Sequence, residues 1–120
     1  MMALSAHVRV QVCIAAIDFR KGIDGLARVC REVLSTDPFS GTVFVFRNRR
    51  GTAVKILAYD GQGFWLCHKR LSQGHFPWWP SVAAGGTQPL AAHQLAVLLS
   101  AGNPTQTGAA PDWRPVGPRS

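Results

Sequence analysis

Between residues 42 and 79 the chain alternates apolar, β-branched and aromatic runs with very short turns, and this rhythm limits the fold more than any other feature. The runs occupy residues 42–47, 52–59, 64–71 and 75–79. Asn48-Arg49-Arg50-Gly51, Asp60-Gly61-Gln62-Gly63 and Ser72-Gln73-Gly74 separate them, and Gly and Asn tolerate the positive φ of a tight reversal. A parallel return needs a crossover of about a dozen residues or more, so these runs are predicted to form an antiparallel meander. The first run is apolar on both sides, which predicts a strand covered on both faces.

Upstream, Val8, Val10, Val12 and Ile14 alternate with Arg9, Gln11 and Cys13, the period of a half-buried strand. Asp18 offers a cap to a helix entered at Phe19, Arg20 and Lys21. Its apolar face is Ile23, Leu26, Ala27, Cys30, Val33 and Leu34, at offsets of three and four, and Asp37-Pro38 ends it. Downstream, residues 89–100 carry a second stripe of Ala91, Leu95, Leu98 and Leu99, with Thr87 as the expected cap and Gly102 as the stop. The fold expected is therefore α+β: an antiparallel meander sheet of four to five strands packed by two helices. One domain spans residues 1–101, and residues 102–120, rich in Pro, Gly and Thr, are expected to be a disordered tail.

A length of 120 residues with 47% hydrophobic content suits one modest core. The first sixteen residues are apolar but interrupted by His7, Arg9 and Gln11, which fits neither a membrane span nor a secretory leader. A cytoplasmic location with no membrane partner is expected. Cys13, Cys30 and Cys67 are odd in number and widely spaced, so free thiols are expected rather than disulfides or a zinc site.

Charge carries the functional signal. The net charge is +7, and ten Arg outnumber Lys21, Lys55 and Lys69. The planar guanidinium fork suits phosphate, so an anionic partner is expected, nucleic acid first. Arg47, Arg49 and Arg50 crowd one hairpin turn, with Lys55 entering the next strand. Three guanidinium groups on one loop repel one another unless an anion sits among them. Arg20 and Lys21, with Arg28 and Arg31, form a second basic strip; Lys69 and Arg70 form a third. Trp78 and Trp79 could stack on bases or anchor a protein partner, or else lie over the core.

Catalysis is not expected. The acids are Asp18, Asp24, Glu32, Asp37, Asp60 and Asp112, and turns or caps already explain three of them. His7, His68, His75 and His93 are scattered, and Cys67-His68 with His75 is a weak metal pattern that lacks a second tight pair, so no metal or cofactor is expected.

Several blocks resemble one family in order. They include Asp18-Phe19-Arg20-Lys21-Gly22, Asp37-Pro38-Phe39-Ser40-Gly41 and Phe46-Arg47-Asn48-Arg49-Arg50-Gly51. Tyr59-Asp60-Gly61-Gln62-Gly63-Phe64-Trp65, Lys69-Arg70-Leu71, Gly74-His75-Phe76 and Trp78 continue the series. Over residues 8–80 the chain resembles the TnpB accessory proteins of bacterial insertion-sequence family sixty-six. The resemblance implies a small protein that acts beside a separate transposase and brings no catalytic residues. It departs at Leu90-Ala91-Ala92, where the family usually has Leu-Thr-Pro, and at residues 100–103, where the family is acidic. The function expected is a non-catalytic accessory factor of transposition that binds DNA at the element ends. Its grip would come from Arg47, Arg49, Arg50, Lys55, Arg20, Lys21, Lys69 and Arg70. The alternative is an adaptor that docks onto the transposase, through Trp78 and Trp79 or a sheet edge, without touching DNA.

Overall fold

Seven elements follow in chain order in a computed structural model that describes residues 8–81 and 86–103. They are β1 (Val10–Cys13), α1 (Ile23–Glu32), β2 (Val43–Arg47), β3 (Ala53–Tyr59), β4 (Phe64–Arg70), β5 (Thr87–Leu90) and α2 (Ala92–Leu99). The strands form one sheet in the order β4-β3-β2-β1-β5. The α+β class stands, and β2, β3 and β4 form the expected antiparallel meander.

The sheet as a whole is mixed rather than antiparallel. β1 pairs with β2 in parallel, Val10 opposite Val43 and Val12 opposite Val45. α1 supplies the crossover that a parallel pair requires. The pleat then sends alternate side chains to opposite faces. Leu26, Ala27, Val29, Cys30 and Leu34 pack on Phe44, Phe46 and Leu57 on one face. Leu95 and Leu98 of α2 pack on Val10, Val12, Val43, Val45, Val54 and Ile56 on the other. β2 is thus buried on both faces, as its sequence predicts.

Two expectations for the first helix are corrected. α1 begins at Ile23 with Gly22 as its N-cap, not under Asp18. The Asp18 carboxylate instead accepts hydrogen bonds from the Arg20 backbone N–H and guanidinium, which closes a local turn. Val33 leaves the apolar face and is 68% exposed, because the helix ends at Glu32 and Ser35 turns the chain at φ +52°.

Residues 75–79 form no strand. Pro77 withholds an N–H donor within it and Pro80 another directly after it, and the segment serves as a strap across one end of the sheet. Phe76 N–H donates to Gly51 O at 2.8 Å, and Trp79 Nε1 donates to Cys13 O at 2.9 Å.

The fifth strand lies where a helix start was expected. Thr87 is not a cap but the first residue of β5, which runs antiparallel to β1. α2 opens at Ala92, with the Gln94 side-chain oxygen accepting the Ala91 N–H at 2.8 Å. Of the expected disordered tail, residues 104–120 lie outside the described residues. Among the described residues, no helix is long and apolar enough to cross a membrane. Cys13 and Cys30 are buried free thiols and Cys67 is a half-buried one.

Candidate nucleic-acid interface

Because β1 and β2 run parallel, their C-terminal ends lie side by side. The loop that leaves β1, residues 14–22, therefore meets the hairpin that leaves β2, residues 48–52. Ile17 N–H donates to Arg47 O at 2.9 Å and ties the two together. The hairpin itself is closed by Asn48, whose Oδ1 accepts from Thr52 N–H and Ala53 N–H at 2.9 and 3.1 Å. Gly51 completes the reversal at φ +70°.

Between loop and hairpin lies a groove of about 430 Å³ whose walls include Ile17, Asp18, Arg20, Asn48, Arg49 and Arg50. Arg49 and Arg50 are exposed. Arg20, with a side chain 91% exposed, pairs with Asp18 at 2.7 Å, the one ion pair among the described residues. That guanidinium, with the Arg20 backbone N–H, holds the Asp18 carboxyl well below the usual carboxylate range. The residues walling the groove thus carry one carboxylate against three guanidinium groups, a net positive charge.

The other candidate residues are distributed by function. Lys21 is exposed beside the groove, and Arg70, opposite Ala53 in the ladder, is exposed at the same end of the sheet. Arg47 is half-buried: Nε and Nη2 donate to Ile14 O at 3.4 and 3.2 Å, and its guanidinium lies 5.8 Å from the Trp79 ring centre. Lys55 is only 8% exposed. Its Nζ donates to Phe19 O and Lys21 O at 2.8 and 2.9 Å and sits 5.0 Å from the Phe19 ring centre. Both residues hold the loop in place from behind rather than opening onto the groove. Lys69 is on the opposite face, where Nζ donates to Leu99 O at 2.6 Å and completes the C-terminal end of α2. His68, next to Lys55 across the ladder, has its pKa pushed down by burial and by the nearby Lys55 and Arg70 charges.

Trp78 and Trp79 are half-buried and packed against the α2-side core, with the Trp79 indole bonded to backbone. The exposed aromatics lie at the other end of the sheet. Phe39 is 52% exposed and Trp65 46%. Phe39, Tyr59 and Phe64 meet with ring centres 4.9 to 5.1 Å apart. Sequence reasoning passed over this cluster, although its members flank the Asp37 and Asp60 turns. No group of three or more His, Cys, Asp and Glu among the described residues could hold a metal ion.

The chain is 40% identical over 119 residues to an uncharacterized protein of Sinorhizobium fredii, y4hO, covering 97% of both chains. It is 30% identical over 116 residues to a second uncharacterized protein of that organism, y4jC, again covering 97% of each. No solved structure matches. A family model described as IS66 Orf2 like protein matches residues 8–109, most of the chain. The chain belongs to the IS66 Orf2-like family, and with it to the accessory proteins of insertion-sequence transposition.

Proposed function

We propose that this accessory protein grips the phosphate backbone of DNA at the hairpin end of its sheet. The observation that carries the reading is the convergence of Arg20, Arg49 and Arg50, from two separate loops, on one groove of about 430 Å³. Exposed guanidinium groups around a concave wall bind phosphate by charge-assisted, often bidentate hydrogen bonds. Lys21 and Arg70 extend the same charged end. Such contacts position a protein on a duplex and carry little base information, so the role is to hold element ends rather than to read them alone. The separate transposase of the same element is the partner this role requires.

The test is duplex binding as a function of salt. Each phosphate contact steepens the dependence of log affinity on log salt by about 0.9, so Arg49→Ala/Arg50→Ala should flatten the slope by about 2. An unchanged slope and affinity would remove the proposed footprint. A second reading, docking onto the transposase without DNA contact, is favoured by the exposed Phe39 and its ring cluster. Co-purification that survives nuclease and high salt, and is lost in Phe39→Ala, would support it.

A further inference from the structure

β4 and β5 are the two edges of the sheet, and they are chemically unlike. β5 has four residues and carries Pro89, which has no N–H and blunts that edge. β4 has seven residues and neither Pro nor Gly. Antiparallel neighbours alternate between pairs that exchange both hydrogen bonds and pairs that exchange none. Leu71 N–H reaches Thr52 O at 2.9 Å and Asp60 N–H reaches Gly63 O at 3.1 Å, so the odd-numbered residues of β4 bond inward to β3. Phe64, Leu66, His68 and Arg70 therefore turn their backbone N–H and C=O outward.

The side chains along this edge complement their own reversal. Aromatic Phe64 and Trp65 open the strand, cationic Lys69 and Arg70 close it, and Cys67 is the middle residue. Antiparallel self-pairing about a two-fold axis at Cys67 sets Phe64 opposite Arg70 of the second copy, Trp65 opposite Lys69 and Leu66 opposite His68. Each Lys69 and Arg70 then meets an aromatic ring across the strands, and none meets another cation. This is the register that pairs all seven residues.

A groove supplies the second observation. On the face shared by Trp65, Cys67 and Lys69, a cavity of about 380 Å³ runs beside β4, walled by Val54, Ile56, Cys67, Lys69, Ala96 and Leu99. The same register brings Trp65 of the second copy beside Lys69, at the mouth of this groove. An indole that is 46% exposed in one copy would be covered there.

We propose that two copies of this chain pair through β4, antiparallel about Cys67, so that both sheets become one and each Trp65 seats against the other copy's groove. The full-length chain then sediments as a dimer at concentrations on the order of tens of micromolar. Residues opposed at a position without mutual hydrogen bonds have Cα atoms about 4.5 Å apart, within disulfide reach, so copper–phenanthroline oxidation should link the dimer through Cys67. Cys67→Ser should abolish the link and leave the dimer. His68→Pro removes an outward N–H, leaves the β3–β4 ladder intact, and should sediment as a folded monomer. Trp65→Ala, which alters no backbone group, should weaken dimerisation at least about tenfold. A monomer at all concentrations would overturn the proposal. So would a dimer unaffected by Trp65→Ala, or a link through Cys13 or Cys30 in place of Cys67.

Discussion

The two hairpins of the meander are each closed by a side-chain oxygen that accepts backbone N–H groups, but to opposite effect. At one end, Asn48 accepts the N–H groups of Thr52 and Ala53; at the other, Asp60 accepts those of Gln62 and Gly63 at 2.8 and 3.0 Å. Asn does its work without charge, so Arg49 and Arg50 stand at the tip unneutralised by the turn residue. Asp60 brings a carboxylate, takes the Trp65 indole N–H as well at 2.8 Å, and sits beside the Phe39, Tyr59 and Phe64 rings. One end is a cationic groove and the other an aromatic end bearing acid. The two ends differ in the side chains around the turn, Arg49 and Arg50 against Phe39, Tyr59 and Phe64, and in the neutral amide or charged carboxylate that closes it.

The largest expected effect lies behind the cationic groove. Lys55→Ala removes the donor to two backbone carbonyls in a site that is 8% exposed, and should cost about 2–4 kcal/mol in urea unfolding. Loss of DNA affinity should accompany it, because residues 14–22 lose their anchor. Arg47→Ala removes the bonds to Ile14 O and the contact with Trp79, and should cost about 1–2 kcal/mol. It should leave the salt slope of DNA binding nearly unchanged, which distinguishes a supporting arginine from a gripping one. Arg49→Ala/Arg50→Ala should do the reverse: stability within about 0.5 kcal/mol of the parent and a flatter salt slope.

The smallest effect belongs to the other hairpin. Hydrogen bonds from Gln62 and Gly63 N–H and from the Trp65 indole hold the Asp60 carboxyl below its ordinary pKa of 3.8. Its contribution to stability is therefore present above that value and lost as the pH falls through the lower folded value. Asp60→Asn should flatten the acid limb of the stability–pH curve below about pH 4, with DNA binding at neutral pH unaffected. Urea titrations of both proteins between pH 2 and 6 measure it.

Much of the meander was legible because local chemistry decides it. Turn residues and short spacings leave β2, β3 and β4 no choice but antiparallel pairing, and the double-sided apolar run of residues 43–46 predicts burial on both faces. The parallel β1–β2 pair and strand β5 depend on where distant segments dock, which periodicity does not encode. Thr87-Gln88-Pro89-Leu90 is four residues long and carries a proline, so it offers almost no strand signal by itself. The site divides in the same way. Charge density picked out Arg49 and Arg50, but charge alone gives no means to separate them from Lys55, whose ammonium is bonded under the residues 14–22 loop. Nor does it show Arg20 approaching from the other wall, since that approach follows from the parallel pairing of β1 and β2.

The most direct test of the contrast between the two ends is an amide chemical-shift footprint of the full chain titrated with a short duplex at moderate salt. Perturbations should concentrate at residues 16–21 and 48–51, with Phe39 and Tyr59 unmoved. Perturbations centred on the aromatic end, or spread evenly over the surface, would contradict the assignment of DNA binding to the cationic groove.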